Sequence, residues 1–181
     1  LGYSFLDTTQ NTQDNMVDEM GTFKYQYVLG ELFEENEYGG EPVIMSTMES
    51  VEGDQFSIIG TTDENPYLDL KDIEGKDVDL DKGYYMTSVM AMLWDVRSGD
   101  TVTICNPLTL EEHEITLAGI LDNDMQSAIL ANRENIAEIS GIEAEYSNVI
   151  MSDKELDIPD AKIIQTIKKT DAKEQFQNMT N

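Results

Sequence analysis

Residues 83–104 read GYYMTSVMAMLWDVRSGDTVTI, and the order of elements that this stretch predicts decides the fold. Val89, Met92, Leu93 and Val96 recur at helical spacing, which indicates a short helix. We expect Met90, Met92 and Trp94 to lie in the core. Gly99 marks a turn, because glycine tolerates left-handed backbone at little cost. The stretch therefore predicts, in order, a strand at 83–87, a helix at 88–95, a turn at 97–100 and a strand at 101–105.

Outward from this stretch, alternating apolar residues predict further strands. In the segment 23–33, Phe23, Tyr25, Tyr27 and Leu29 would share one half-buried face, because side chains alternate along a strand. The remaining segments follow the same reasoning, and 163–167 fits a helix or a strand equally well. We expect strands at 42–48, 55–61, 114–121, 127–130 and 146–152, a helix at 132–140 closed by Gly141, an antiparallel meander of 23–33, 42–48 and 55–61, and an antiparallel pair of 101–105 with 114–121.

These elements together predict an α+β fold. We expect a mixed, mostly antiparallel sheet with short helices, helical N- and C-terminal stalks, and a body of one or two lobes. Residues 1–181 would form a single domain, since the length of 181 residues suits one. Within it, 1–21 is predicted as the N-terminal stalk helix, 23–170 as the α+β body and 171–181 as the C-terminal helix.

Charge is the extreme feature of the composition. The chain has 11 Lys and Arg against 37 Asp and Glu, a formal net charge of −26. Contacts to phosphate need clustered basic side chains, so this balance argues against nucleic-acid binding. The exception is the C-terminal end, where residues 162–173 contain only one acid, Asp171, against the basic residues Lys162, Lys168, Lys169 and Lys173. The longest uncharged stretch, 83–94, is too short to span a bilayer.

The sequence holds no motif for enzymatic chemistry. Cys105 is the only cysteine and His113 the only histidine, and a strand cysteine is more often a packing residue than a nucleophile. Two pairs of acids, Asp63 with Glu64 and Asp69 with Asp72, could serve in acid–base catalysis, so a hydrolase that uses carboxylates stays open as an alternative. We expect a non-catalytic protein without a cofactor.

One acidic string resembles half of a calcium loop. Asp77, Asp79 and Asp81 alternate as oxygen ligands would, but Lys82 and Ser88 stand where an EF-hand loop needs Gly and Glu. A free-standing acidic cell-surface binding module, with or without calcium at these aspartates, therefore stays open as a second hypothesis.

The stretch 83–104 also resembles the extracytoplasmic domains of FtsX/MacB-type ABC transporter permeases. The resemblance extends to EHEITLAGIL at 112–121 and AILANRENIAEISG at 128–141, which correspond to the family's partner strand and its next strand and helix. The segment 163–179 is similar to the strand and juxtamembrane helix that lead back to the membrane. The order of these segments carries the resemblance more than any single motif does.

This resemblance implies a fold similar to the MacB periplasmic core and a location on the extracytoplasmic side of the cell membrane. The parent chain would be embedded in the membrane, and residues 162–173 would lie near lipid headgroups. An ATP-binding cassette ATPase would hydrolyse ATP in the cytoplasm and act through the rest of the permease. The partners implied are that ATPase, an external substrate or protein, and a second permease subunit.

Overall fold

The computed structural model describes residues 23–68, 70–124 and 126–168. Nine strands and two α-helices make up the regular structure of these residues. The strands are β1 (Tyr25–Phe33), β2 (Glu41–Ser50), β3 (Gln55–Thr61), β4 (Tyr84–Thr87), β5 (Thr101–Cys105), β6 (Glu112–Leu121), β7 (Ala128–Asn132), β8 (Ser147–Ser152) and β9 (Ile163–Lys168), and the helices are α1 (Ser88–Trp94) and α2 (Arg133–Ser140).

The strands form one mixed sheet in the order β3-β7-β4-β6-β5-β2-β8-β1-β9. Because β3 also pairs with β2, the first six strands close into a ring. The pairs β3–β7 and β4–β6 are parallel and the other pairs are antiparallel. The last three strands, β8, β1 and β9, continue from β2 as an extension that we call the arm.

The ring is filled by apolar side chains from all six of its strands. Met90 of α1 and Ile136 of α2 belong to the same buried cluster, so both helices pack against this core. Gly60 lies directly beneath α2, since a Cβ atom there would be 2.9 Å from the Cβ atom of Ile136. The strand side chains of the cluster are Ile44, Met48, Phe56, Ile58, Met86, Val102, Ile104, Ile115, Leu117, Ile120, Ile129 and Ala131.

The arm packs by one face against the outside of the ring. A second buried cluster joins Val149 and Met151 of the arm to Val43 and Ile59 of the ring, with Phe23 beside them. The opposite face of the arm is covered by the loop that follows β8, where Leu156 and Ile158 pack on the arm. The arm is therefore a covered layer with an apolar surface on each side.

The predicted α+β class is wrong, because the described residues are mostly sheet and contain only two helices, of seven and eight residues. Closure of the six strands leaves these helices to pack against the ring core rather than to form a layer of their own. The predicted stalk helices at 1–21 and 171–181 lie outside the described residues and have no support.

The predicted meander is half right. β2 and β3 form the expected antiparallel hairpin, but β1 pairs with β8 and β9 and not with β2. The predictions for α1 are half right: Met90 is buried as expected and Val96 packs partly buried against the same core, whereas Met92 and Leu93 are 73% and 68% exposed.

Two local predictions are confirmed. β5 and β6 pair antiparallel, with Val102 opposite Ile115. α2 begins after Asn132, whose side chain accepts a hydrogen bond from the Asn135 amide, and ends at Gly141 in the left-handed conformation. The segment 163–167, which fitted either structure, lies in strand β9.

No helix in the described part of the chain combines the length and the apolar character that crossing a bilayer requires.

Candidate functional site

A cleft of about 300 Å³ lies between the arm and the β2–β3 hairpin. Strand register builds its two walls. Gln26 of β1 pairs with Met151 of β8 and with Ile167 of β9, so these three side chains face the cleft together. Met45 of β2 pairs with Ile59 of β3 to form the opposite wall. We call this space the Gln26 cleft; it is lined by Phe23, Gln26, Val28, Met45, Ser46, Thr47, Ser57, Ile59, Gln126, Asn148, Val149, Met151, Gln165 and Ile167.

No charged side chain lines the Gln26 cleft among the described residues. Charged residues make up 27% of the sequence, so three or four would be expected among these lining residues by composition alone. Amides, hydroxyls and apolar groups make up the lining instead. A charged ligand would lose its hydration here without gaining a partner, so the lining favours an uncharged one.

Gln26 is the buried polar group of this cleft. Its residue is 8% exposed, and its amide Nε2 makes a 3.8 Å contact with the sulfur of Met45. Within the described residues its side chain has no other hydrogen bond, so the amide oxygen accepts none from them. No buried side-chain nitrogen or oxygen of the described residues lacks a hydrogen-bond partner, so the Gln26 oxygen is reached by solvent from the cleft.

Asn148 fixes the shape of the cleft wall. β8 pairs with β2 only from Glu41 to Val43, after which the two strands separate. Beyond this point the side chain of Asn148 replaces the hydrogen bonds between the two strands. Its Oδ1 accepts from the Met45 amide at 2.8 Å, and its Nδ2 donates to the Met45 carbonyl at 2.7 Å. The cleft therefore begins where a side chain replaces a strand partner.

The acidic loop brings three carboxylates together, but not the three that the sequence indicated. Asp63, Asp79 and Asp81 have carboxylate oxygens within 4.8 Å of one another. Asp77 lies apart, in an ion pair with Lys71. Of the three aspartates that the calcium hypothesis names, Asp79 and Asp81 therefore lie in this cluster and Asp77 does not.

Each carboxylate of this cluster already accepts a hydrogen bond from the protein. Asp63 accepts from the amide of Leu80 and Asp79 from that of Asp81, both at 3.0 Å. Asp81 accepts from the side-chain amide of Asn132 at 3.3 Å. These bonds give the cluster a structural role in holding the loop to the ring.

Arg133 is the partly buried cation of the described residues, and it binds backbone rather than a carboxylate. Its guanidinium donates to the carbonyls of Pro42, Ala144 and Tyr146 and to the hydroxyl of Ser147, at 2.5 to 3.2 Å. Burial lowers its pKa, although the nearby acids Glu41 and Glu134 act in the opposite direction. This side chain ties the start of α2 to β2 and β8.

Glu41 lies near this guanidinium at the start of β2. Burial raises its pKa above the ordinary value, Arg133 lowers it and Glu64 raises it further, in that order of size. A carboxyl group that folding makes harder to ionise weakens the folded state at neutral pH.

Cys105 and His113, the nucleophile and base candidates of the sequence, are not brought together. Ile104 stands opposite His113 in the β5–β6 pair and Cys105 stands opposite Glu112, so Cys105 and His113 face opposite sides of the sheet. The carboxylate of Asp72 accepts hydrogen bonds from the backbone amides of Glu74 and Lys76. Asp69 lies outside the described residues.

An apolar groove lies at the end of β2 farthest from Glu41. It is lined by Leu93 and Trp94 of α1, by Val51 in the β2–β3 turn and by Val102 of β5. The edge of the ring of Trp94 packs against Phe56, with centroids 5.4 Å apart, which fixes this side of the groove. Acidic residues of the turn, Glu52 and Asp54, complete the lining.

The strand ends nearest the two ends of the chain lie side by side. Tyr25, the first residue of β1, pairs with Lys168, the last residue of β9, and also with Ser152, the last residue of β8. Three exposed lysines, Lys24, Lys154 and Lys168, lie within two residues of this level, and Lys168 stands 5.9 Å from the ring of Tyr25. We call this end of the arm the basic end.

Searches of family models and of the curated proteins found no match to this chain.

Sequence reasoning missed the Gln26 cleft. The alternation in 23–33 placed Tyr25, Tyr27 and Leu29 on the buried face, which left Gln26 and Val28 on a face expected to be exposed. Val28 lies two residues after Gln26 on the same face of the strand, and its apolar side chain was the one local signal that this face is covered as well. Its cover, the β2–β3 hairpin, is set by long-range pairing that no local pattern reveals.

Proposed function

We propose that this chain is a non-catalytic extracytoplasmic domain of an ABC transporter permease of the FtsX/MacB type. It would couple ATP hydrolysis by a cytoplasmic ATP-binding cassette ATPase to an external substrate or partner protein. The domain would stand on the extracytoplasmic side of the cell membrane, in a permease that works as a pair of membrane subunits. The observation that carries the proposal is the pairing of Tyr25 with Lys168.

That pairing supports the proposal for a geometric reason. A domain inserted between two membrane-spanning helices must leave and re-enter the same bilayer face, so its two ends must lie close together. Residues paired in antiparallel strands have Cα atoms about 4.5–5.5 Å apart. Residues 23–168 therefore start and finish at one end of the arm.

The charge at the basic end also supports the proposal. In a chain with a net charge of −26, the exposed lysines Lys24, Lys154 and Lys168 gather at the level where the ends meet. Basic side chains next to a membrane surface are favoured where its headgroups carry negative charge. The neighbouring Asp153 offsets part of this charge, and its carboxylate accepts from the hydroxyl of Tyr67.

The experiment is to isolate the native gene product through an antibody against this chain. We expect it in the membrane fraction, degraded by protease added outside intact cells, and co-purifying with an ATP-binding cassette ATPase after gentle solubilisation. The ATPase alone should survive the external protease, which serves as the internal control. A product that fractionates away from membranes and brings no ATPase would overturn the proposal and favour the free-standing acidic module.

A further inference from the structure

The Gln26 cleft has the properties of a site for a small uncharged ligand. Its volume of about 300 Å³ is at the lower end of the range for small-molecule sites. Its floor is apolar and buried, with Phe23, Ile59 and Met151 each 1% exposed. Polar groups stand at its mouth, where Thr47 and Gln165 are exposed and Gln126 is half-buried.

Gln26 shows what such a ligand must offer. A primary amide presents one acceptor and two donors side by side, which complements another amide group. The oxygen accepts nothing from the described residues, and the nitrogen has only the weak contact with the Met45 sulfur. Both atoms are therefore free of strong bonds to the described residues, and a ligand amide can bond to them in place of solvent.

The surroundings of Gln26 show what should lie next to that amide. Its cross-strand neighbours are Met151 and Ile167, and Val28 follows two residues along β1 on the same face. An apolar group of the ligand can contact these side chains while its amide pairs with Gln26.

We propose that the Gln26 cleft binds a small uncharged molecule that carries an amide beside an apolar group, and that Gln26 pairs with this amide. Two sources offer this chemistry, the N-acetyl group of an amino sugar and the backbone of a short neutral peptide. The cleft would bind such a ligand in a transporter or in a free-standing protein. A failed titration would therefore overturn this assignment and leave the proposed function untouched.

The test is an NMR titration of the ¹⁵N-labelled chain with three probes. N-acetylglucosamine and N-acetyl-leucinamide represent the two sources, and N-acetyl-leucine carries the same amide with an added carboxylate. We expect one of the neutral probes to shift the side-chain amide signal of Gln26 with a dissociation constant of about 1 mM, typical of so small a ligand. The carboxylate probe should bind at least about tenfold more weakly, because no cation lines the cleft among residues 23–68, 70–124 and 126–168.

Variants of Gln26 separate this site from chance binding. Gln26→Leu should weaken the bound probe about tenfold, by removing its hydrogen-bonding partner. Gln26→Met keeps the length of glutamine and serves if the leucine variant does not fold. Gln55→Leu, at an exposed glutamine outside the cleft, is the matched control and should bind as the original chain does. No shift with either neutral probe, or equal affinity in the Gln26 variants, would overturn the proposal.

Discussion

Glu41 and Arg133 show how folding sets the charge of single residues in this acidic chain. Burial lowers the pKa of Arg133 and raises that of Glu41, so both groups are held where ionisation is harder. The burial of the Arg133 guanidinium is compensated by hydrogen bonds to three backbone carbonyls and a hydroxyl. For Glu41 the effect of burial exceeds the attraction of Arg133, and Glu64 adds repulsion.

Replacing Glu41 by glutamine is therefore expected to stabilise the protein at neutral pH. A carboxyl whose folded pKa lies above its ordinary value of 4.5 favours folding below that pH, and this contribution is lost as the pH rises through the folded pKa. Glu41→Gln should thus raise the free energy of unfolding at pH 7, with the difference shrinking as the pH falls towards 4.

Urea melts of both proteins from pH 4 to pH 7 measure this difference. Glu64→Gln provides a further check, since removing that acid should lower the pKa of Glu41 and reduce the benefit of the glutamine. A difference that does not change across this range would show that burial of Glu41 has no net electrostatic cost.

At the scale of elements, local patterns predicted the structures that depend on neighbours in sequence. α2 has its Asn132 cap and its Gly141 terminus, and β5–β6 is a pair connected by a short loop. Local patterns do not encode the partners of β1 or the parallel pair β3–β7, because these contacts join residues far apart in the chain. The α1 face was predicted only half correctly because a seven-residue helix is too short for its stripe to be unambiguous.

Contact between α2 and β3 gives a test of the closed ring. In Gly60→Ala the new Cβ atom would lie 2.9 Å from the Cβ atom and 3.2 Å from Cγ1 and Cγ2 of Ile136, so the helix must shift. Overpacking of this kind destabilises by about 1–3 kcal/mol. Chemical denaturation should show that loss.

Gly30→Ala is the matched control for this substitution. Gly30 lies in β1, and its nearest contact to an added Cβ atom would be an ordinary 3.5 Å to Ile164. We expect its effect to remain within about 0.5 kcal/mol. Equal effects of the two substitutions would contradict the packing of α2 on β3.

For the molecule as a whole, the sequence revealed the charge balance and the basic C-terminal end, but not the residues from elsewhere in the chain that join that end. The lysines of the basic end are Lys24, Lys154 and Lys168. They lie in three separate segments of the sequence, and only the pairing of the strands of the arm brings them together. The sequence likewise did not indicate that Asp63 lies close to Asp79 and Asp81, because the folding of the loop between them brings these acids together. Residues that meet through long-range pairing are the part of a site that sequence alone leaves undetermined.

The pairing of Tyr25 with Lys168 places both ends of residues 23–168 at one end of the molecule, and the permease proposal depends on what those ends connect to. The most direct measurement is to sequence the coding region on both sides of this chain. The proposal predicts a segment of about 20 mainly apolar residues upstream and another downstream, each long enough to cross a bilayer. A coding region that lacks such a segment upstream, downstream or on both sides would contradict it.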